Sequence, residues 1–404
     1  MSLVAGSTRR WWVRAIPTLL LATLWFPGTR GARAEDDVMA PQGAPQNVIL
    51  ISWDGLDRPV VKELLDKNKL PNLAALISEG SMQEIEVRGH PTVTKPGHAE
   101  MLTSLASETT GVYSNAKYEP IPEGDTIFER MQKFLGGKDK IHTFMVTGKL
   151  AHVGGRGPDE IAAQGKKGGK AGKKPGKRAR DLPEGADNVP AAEKQGPEKG
   201  EPFFLTRKAL DVFDAAQRDA EETGPLCLKY LEKYKDPRFL AFLHFSDPDH
   251  AGHKHGSDSK EYREAAEDCD KWLGKIVKWV KEQKLYDKTL IYVTTDHGFD
   301  PAAHTHSHAP HSWLVTNDKL VTHGGTIADI PATILSRFGV DIDKLEPKLI
   351  GKPLTGGAAG GDKAAERKTE DDGKGAGKKG GKRGVKKNIE KPVNIPKTAP
   401  EGAM

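Results

Sequence analysis

Three apolar runs, at residues 46–53, 239–245 and 289–294, each lead within a few residues to an aspartate: Asp54, Asp249 and Asp296. Short runs of Val, Ile, Leu and Phe without polar alternation are the pattern of strands covered on both faces, as in a parallel sheet. Helical periodicity lies between them. Tyr262, Ala265, Cys269, Trp272, Leu273, Ile276, Val277 and Val280 recur at three- and four-residue steps and predict a long helix over 258–284. Further helices are expected near 59–65, 71–78, 98–104, 126–134, 205–220, 225–235 and 327–338, and further strands near 84–87, 141–146 and 313–315. Strands alternating with helices predict an α/β fold: a mostly parallel central sheet flanked by helices on both faces. Ligands of such sheets sit beyond the carboxyl ends of the strands, where all three aspartates fall.

A chain of 404 residues has room for one large α/β domain. Its hydrophobic content of 36% is low because two stretches dilute it. Residues 155–201 and 355–404 are rich in Gly, Lys and Pro and lack the apolar side chains that offset chain entropy, so both are expected to be disordered. They divide the chain into an N-terminal segment 1–34, a single catalytic domain of 46–154 plus 202–354, a basic insert and a basic tail. Residues 1–34 (+5), 155–201 (+3) and 355–404 (+5) together exceed the whole chain's +5, so the folded remainder is acidic. An acidic core argues against a specific nucleic-acid partner and suits carboxylates that hold divalent cations. The Lys-rich appendages read as solvated linkers or as contacts to envelope polyanions.

The N-terminus reads as an export signal. Arg9-Arg10-Trp11-Trp12 resembles a twin-arginine motif, an apolar run follows from Ala15 to Phe26, and an A-x-A-like cleavage site ends at Ala34. The run is too short for a stable membrane span and contains Pro17. Export to the periplasm or beyond is the expectation. Cys227 and Cys269 would then be a disulfide or two buried thiols, and their spacing suits no zinc knot.

Each polar cluster has a bland and a chemical reading. Asp54 before Gly55 is a turn aspartate or a carboxylate ligand at a strand end. Thr94, ahead of Pro96-Gly97, is a helix N-cap or a nucleophile whose oxyanion the helix N-terminus would favour. Asp249 and His253 are four apart, so one helical turn would aim both at one cation. Asp247, His250 and His255 are nearby competitors. Asp296-His297 is a surface pair or two ligands on a bending chain. Among His304, His306, His308 and His311 at most one or two can be ligands, and His323 is a further alternative. Asn115 could donate to a phosphate oxygen and Lys149 could supply positive charge; otherwise they are a turn asparagine and a surface lysine.

The ordered set Asp54, Thr94, Asp249-x3-His253, Asp296-His297 and His306 resembles the alkaline phosphatase superfamily, and within it the type I phosphodiesterase/nucleotide pyrophosphatase family. PTVTKPGH is similar to the nucleophile motif of that family, PDHAGHKHG to its Pro-Asp-x-x-Gly-His-x-x-Gly motif, TTDHGF to its Asp-His-Gly motif, and GVYSN to the segment carrying its phosphate-contacting asparagine. The likeness spans residues 46–345 apart from the insert. It implies an alkaline-phosphatase-like fold and two divalent ions, most simply Zn2+. Asp54, Asp296 and His297 would hold one ion, with Thr94 beside it, and Asp249, His253 and His306 the other. It is this likeness that selects His306 from its cluster. It also implies that Thr94 attacks a small phosphate ester in line and becomes phosphorylated.

Lys95 follows the nucleophile where many nucleotide pyrophosphatases have an aromatic residue, which together with Lys149 leans toward more highly charged monoesters. Thr94 lacks the Cys/Ser-x-Pro-x-Arg context of formylglycine sulfatases. The expectation is an exported metal-dependent phosphodiesterase or nucleotide pyrophosphatase. Its rivals are a monoesterase, a phosphonate or sulfate ester hydrolase, and a noncatalytic polyanion-binding envelope protein.

Overall fold

In the computed structural model, strand β1 (Asn47–Trp53) lies near the middle of an eight-stranded sheet, completely buried along its length. The other strands are β2 (Ser81–Glu86), β3 (His142–Thr147), β4 (Val212–Ala215), β5 (Phe239–Phe245), β6 (Thr289–Thr294), β7 (His311–Thr316) and β8 (Gly325–Thr326). Their order is β4-β3-β5-β1-β6-β7-β2-β8. The first five run parallel, with Val48 opposite Leu240 on one side and Leu290 on the other. β7 is antiparallel to both β6 and β2, and β2 pairs parallel with β8. The parallel half is the half that carries the aspartates. The structure describes residues 45–168 and 199–356, which fall in one compact unit. The expected export signal and most of the basic insert and tail lie outside them.

The helices are α1 (Arg58–Asp66), α2 (Pro71–Glu79), α3 (Thr94–Thr103), α4 (Ser107–Thr110), α5 (Ile127–Phe134), α6 (Pro158–Gly168), α7 (Ala220–Lys233), α8 (Asp247–His255), α9 (Lys260–Glu282) and α10 (Asp329–Arg337). Successive β1 side chains feed two separate cores, because a strand alternates faces. Ile49 and Ile51 pack with residues of α1, α2, α7 and α9. Val48 and Leu50 pack with residues of α3, α5 and α10. Unbroken apolar runs were therefore the right signature of a sheet covered twice. Cys227 on α7 and Cys269 on α9 are both free buried thiols, and burial pushes the Cys227 thiol above its ordinary range. No helix among the described residues is long and apolar enough to cross a membrane.

Two expectations need correction. Residues 205–220 do not form a helix: Thr206–Lys208 is a single 3-10 turn, and Val212–Ala215 is the edge strand β4, paired to Phe144–Thr147. Sheet pairing overrode a local pattern too short to distinguish helix from strand. The basic insert is also narrower than 155–201. Arg156 donates from its backbone N–H to Glu201 Oε2 at 2.7 Å and from its guanidinium to Glu201 Oε1, while Glu201 is 2% exposed. This half-buried ion pair joins Arg156 to Glu201 across the insert, and α6 begins immediately after Gly157, whose N–H donates to Glu160 Oε2 at 2.7 Å.

Candidate active site

The turn after β1 is fastened to the end of β5 and to the turn after β6. Asp54 N–H donates to Phe245 O at 2.9 Å, Gly55 N–H to Asp296 Oδ1 at 3.1 Å, and Leu56 N–H to Thr295 Oγ1 at 3.1 Å. Gly55 has a φ of +68°, and a Cβ there would sit 3.0 Å from Phe299 and 3.1 Å from the Asp249 side chain, so the position requires glycine on both counts. At the N-terminus of α3, a Cβ on Gly97 would be 2.9 Å from Asp296 O and 3.0 Å from its Cβ, so the first turn of α3 rests directly on the aspartate that follows β6. These contacts bring together what the sequence left scattered. Asp54, Thr94, Asp249, Asp296 and His297 are each no more than 1% exposed.

Two groups of three side chains bring carboxylate and imidazole atoms within 4.8 Å of one another. In the first, His297 Nε2 lies 3.6 Å from Asp54 Oδ1 and 3.4 Å from Asp296 Oδ2. In the second, His253 Nε2 lies 3.3 Å from Asp249 Oδ1, His306 Nε2 3.8 Å from the same oxygen, and the two imidazole nitrogens 3.1 Å from each other. Every ring is turned by its other nitrogen. His297 Nδ1 donates to Gly298 O at 2.9 Å, His253 Nδ1 to His304 O at 2.8 Å, and His306 Nδ1 to Thr92 O at 2.6 Å. A neutral imidazole whose Nδ1 donates has a bare lone pair on Nε2.

Asp54 Oδ1, Asp249 Oδ1, Asp296 Oδ2 and His297 Nε2 are buried with no hydrogen-bond partner. Orphaned polar atoms are costly in a protein interior. Four of them at two foci, all electron-pair donors, fit divalent cations with mixed oxygen and nitrogen ligation. The electrostatics agree. Burial would push Asp249 and Asp296 up, but Lys149 beside Asp249 and His297 beside Asp296 hold both carboxyls well below the usual range. Burial and His297 push His306 down to about 3, whereas Asp249 carries His253 up against its burial.

Lys149, two residues after β3, joins both groups to Thr94. Its Nζ donates to Thr94 Oγ1 at 3.0 Å, Asp54 Oδ2 at 3.2 Å and Asp249 Oδ2 at 2.5 Å. The ammonium takes the outer oxygen of Asp54 and of Asp249, and each inner oxygen stays turned toward the histidines. Burial alone would favour the neutral amine, but Asp249 and Asp54 outweigh it and hold Lys149 charged. Asn115 is half-buried, and its Oδ1 accepts from Lys95 N–H at 2.9 Å, which leaves the amide NH2 as a donor. Lys95 itself donates to Asn115 O at 2.6 Å and lies over the Tyr118 ring at 4.1 Å.

The competing polar residues fall elsewhere. Asp247 accepts Ala220 N–H at the start of α7, His250 pairs with Gln217, His304 donates to His253 O, His311 lies against Glu86, and His323 turns to Gly324 O. Two histidines are more important than the sequence suggested. His244, in the middle of the FLAFLHF strand, accepts Gly148 N–H on Nδ1 at 3.3 Å and donates from Nε2 to Asp54 Oδ2 at 2.9 Å. His98, one helical turn after Thr94, donates from Nδ1 to Thr94 O at 2.9 Å and accepts from Ser52 Oγ at 2.9 Å. With Asp54 they form a third close group, but both of their nitrogens are already engaged. His244 braces the Asp54 carboxylate from behind, and His98 Nδ1 lies 3.3 Å from Asp296 Oδ2. The available signal was a lone histidine inside an apolar strand.

Two consequences are measurable. A Cβ on Gly252 would lie 2.6 to 2.9 Å from three atoms of the Phe299 ring, which packs against His253 and His306. Ala gains about 1 kcal/mol of helix propensity over Gly, but overpacking costs about 1–3 kcal/mol. Gly252→Ala is therefore expected to lower the melting temperature, and an unchanged or raised one would contradict this packing.

The second consequence concerns pH. His90 donates from Nδ1 to Pro91 O at 2.7 Å and from Nε2 to Glu100 Oε2 at 2.6 Å, so both nitrogens need protons. Burial pulls this histidine down, but Glu100 on α3 outweighs it and raises its pKa. A raised folded-state pKa gives stabilisation that is complete below the unfolded value, about 6.5, and is lost as pH rises through the higher folded value. In chelated protein, the melting-temperature gap between wild type and His90→Gln should be widest below about pH 6.5 and shrink at higher pH. A gap that is constant or widens with pH would refute the charged pair.

Comparison with known proteins agrees with this geometry. The family model described as type I phosphodiesterase / nucleotide pyrophosphatase matches residues 48–348. Among curated proteins, the chain is 24% identical over 288 residues to bis(5'-adenosyl)-triphosphatase enpp4 of Mus musculus, covering 69% of this chain and 52% of that protein. It is 25% identical over 285 residues to ectonucleotide pyrophosphatase/phosphodiesterase family member 7 of Homo sapiens, covering 70% and 52%. The chain thus spans about half the length of these relatives. Among solved structures, BT1596, described as a 2-O GAG sulfatase, superposes with a TM-score of 0.51 at 11% identity over 77% of this chain and 73% of that one. The fold is alkaline-phosphatase-like, as the sequence predicted.

Proposed function

The chain belongs to the type I phosphodiesterase/nucleotide pyrophosphatase family, and from that premise we propose that it is an exported hydrolase of small phosphate esters with Thr94 as its nucleophile. The observation that carries this reading is a set of four buried carboxylate and imidazole atoms without hydrogen-bond partners, in two groups joined by Lys149, whose Nζ also donates to Thr94 Oγ1 at 3.0 Å. Asp54, Asp296 and His297 would hold one divalent cation and Asp249, His253 and His306 another, with Zn2+ the best match to these donors. Such cations would supply electrostatic stabilisation of the attacking and leaving oxygens.

The protein's own groups would do the rest. Lys149 donates to Thr94 Oγ1, which stabilises negative charge on that oxygen and turns its proton elsewhere. The positive end of the α3 dipole adds to this at the same place. The Asn115 NH2 would donate to a non-bridging phosphate oxygen. Thr94 Oγ1 would form the new bond to phosphorus as the ester oxygen leaves, giving a phospho-threonine that water then cleaves. Positioning and electrostatics dominate such transfers.

Phosphodiesters and nucleotide pyrophosphates are the preferred substrates on this reading. Monoesters form a second, because the buried Lys149 charge suits a dianion. A panel of nitrophenyl monoester, diester, phosphonate, nucleotide ester and sulfate substrates separates them by kcat/KM. Turnover of phosphorus esters well above the sulfate ester is the expected result. A sulfate ester turned over fastest would overturn the reading.

A further inference from the structure

We propose that Asp300 is the positioning residue that assembles the Asp249–His253–His306 group; this rests on the reading that the group holds a cation. Asp300 lies three residues after His297 and touches none of the ligand atoms. Its carboxylate instead collects the loop around His306. Oδ2 accepts Thr305 Oγ1–H at 2.9 Å and Ser307 N–H at 3.0 Å, and Oδ1 accepts His308 N–H at 2.9 Å. The donors bracket His306 on both sides. The Asp300 backbone closes the same loop, with its N–H donating to Thr305 O at 2.9 Å and its carbonyl accepting Ala303 N–H at 3.2 Å and Ser257 Oγ–H at 2.7 Å.

The loop reaches the rest of the group through two reciprocal pairs. His304 Nδ1 donates to His253 O at 2.9 Å while His253 Nδ1 donates to His304 O at 2.8 Å. Thr92 Oγ1 donates to His306 O while His306 Nδ1 donates to Thr92 O. Thr92 sets the direction of the imidazole, and Asp300 sets the path of the chain that delivers it. The arrangement explains how four histidines between 304 and 311 yield one inward ring. His306 is 6% exposed, whereas His304, His308 and His311 face outward. It also gives the two groups a shared support, since His297 of the first and His306 of the second belong to one clasped segment.

The test is Zn2+ titration against a chromogenic chelator, on wild type, Asp300→Ala, His306→Ala and the double variant, with melting of the chelated proteins as a check on folding. His306→Ala identifies which dissociation constant belongs to the second group. Asp300→Ala is expected to weaken that constant about 10- to 100-fold, the range for supports of metal ligands, and to leave the other unchanged. It should add nothing in the His306→Ala background, because its effect passes through His306. Asp300→Asn keeps the shape, presents an amide NH2 to one set of donors, and should fall between wild type and Ala, so it carries the same test if Ala does not fold. Wild-type constants in Asp300→Ala or Asp300→Asn beside a weakened His306→Ala would overturn this inference alone. Wild-type constants in His306→Ala as well would overturn the cation reading and the inference together.

Discussion

Thr94→Ala is expected to lower kcat for phosphate ester hydrolysis by at least about 10³-fold, or about 4 kcal/mol of transition-state stabilisation. The change removes one hydroxyl and one methyl at the first turn of α3, where the side chain is 1% exposed and contributes no cap to its own helix. The fold should therefore persist. What disappears is the oxygen that Lys149 approaches at 3.0 Å while the same ammonium holds Asp54 and Asp249. Thr94→Ser restores an oxygen on the same bond and should recover much of the rate. A substrate should still bind the Ala variant, so the loss belongs in kcat rather than KM. Full turnover by Thr94→Ala would remove the threonine from the chemistry.

Removing divalent cations is the second large effect. Asp54, Asp249 and Asp296 are almost fully buried within a small volume and are faced by Lys149 and by histidines whose Nδ1 protons are committed to carbonyls. One ammonium takes one oxygen each from Asp54 and Asp249 and none from Asp296, so the inner oxygens need further positive charge. Chelation should abolish measurable hydrolysis and lower the melting temperature. A ligand present at about 1,000 times its dissociation constant stabilises the native state by about 4 kcal/mol. Re-adding Zn2+ should restore both rate and stability. Undiminished turnover in fully chelated protein would be incompatible with the site described above.

The parallel half of the sheet was legible because β1, β5 and β6 are buried on both faces and so lost all polar alternation. The same burial made Asp54 and Asp296 conspicuous as abrupt charges at strand ends. Asp249 and His253 were legible because helical geometry fixes residues four apart on one face. β4 was not, since a four-residue edge strand has too little pattern to outvote the helical periodicity around it. Nor was the one inward histidine of 304–311 readable from spacing. What distinguishes His306 from its neighbours is a carboxylate, Asp300, and a carbonyl from a segment more than two hundred residues earlier. His98 and His244 were hidden for a related reason: a histidine that braces a ligand differs from a core histidine only by what its second nitrogen meets. Lys149 was read as a substrate contact, but its three hydrogen bonds to Thr94, Asp54 and Asp249 need the folded sheet to be seen.

The most direct measurement is diffraction from Zn2+-loaded crystals at energies on either side of the zinc absorption edge. The account predicts two anomalous peaks, one within about 2.3 Å of oxygen or nitrogen atoms of Asp54, Asp296 and His297, the other at the same range from Asp249, His253 and His306, with Thr94 Oγ1 beside the first. Peaks confined to the surface histidines, or none near Thr94, would contradict it.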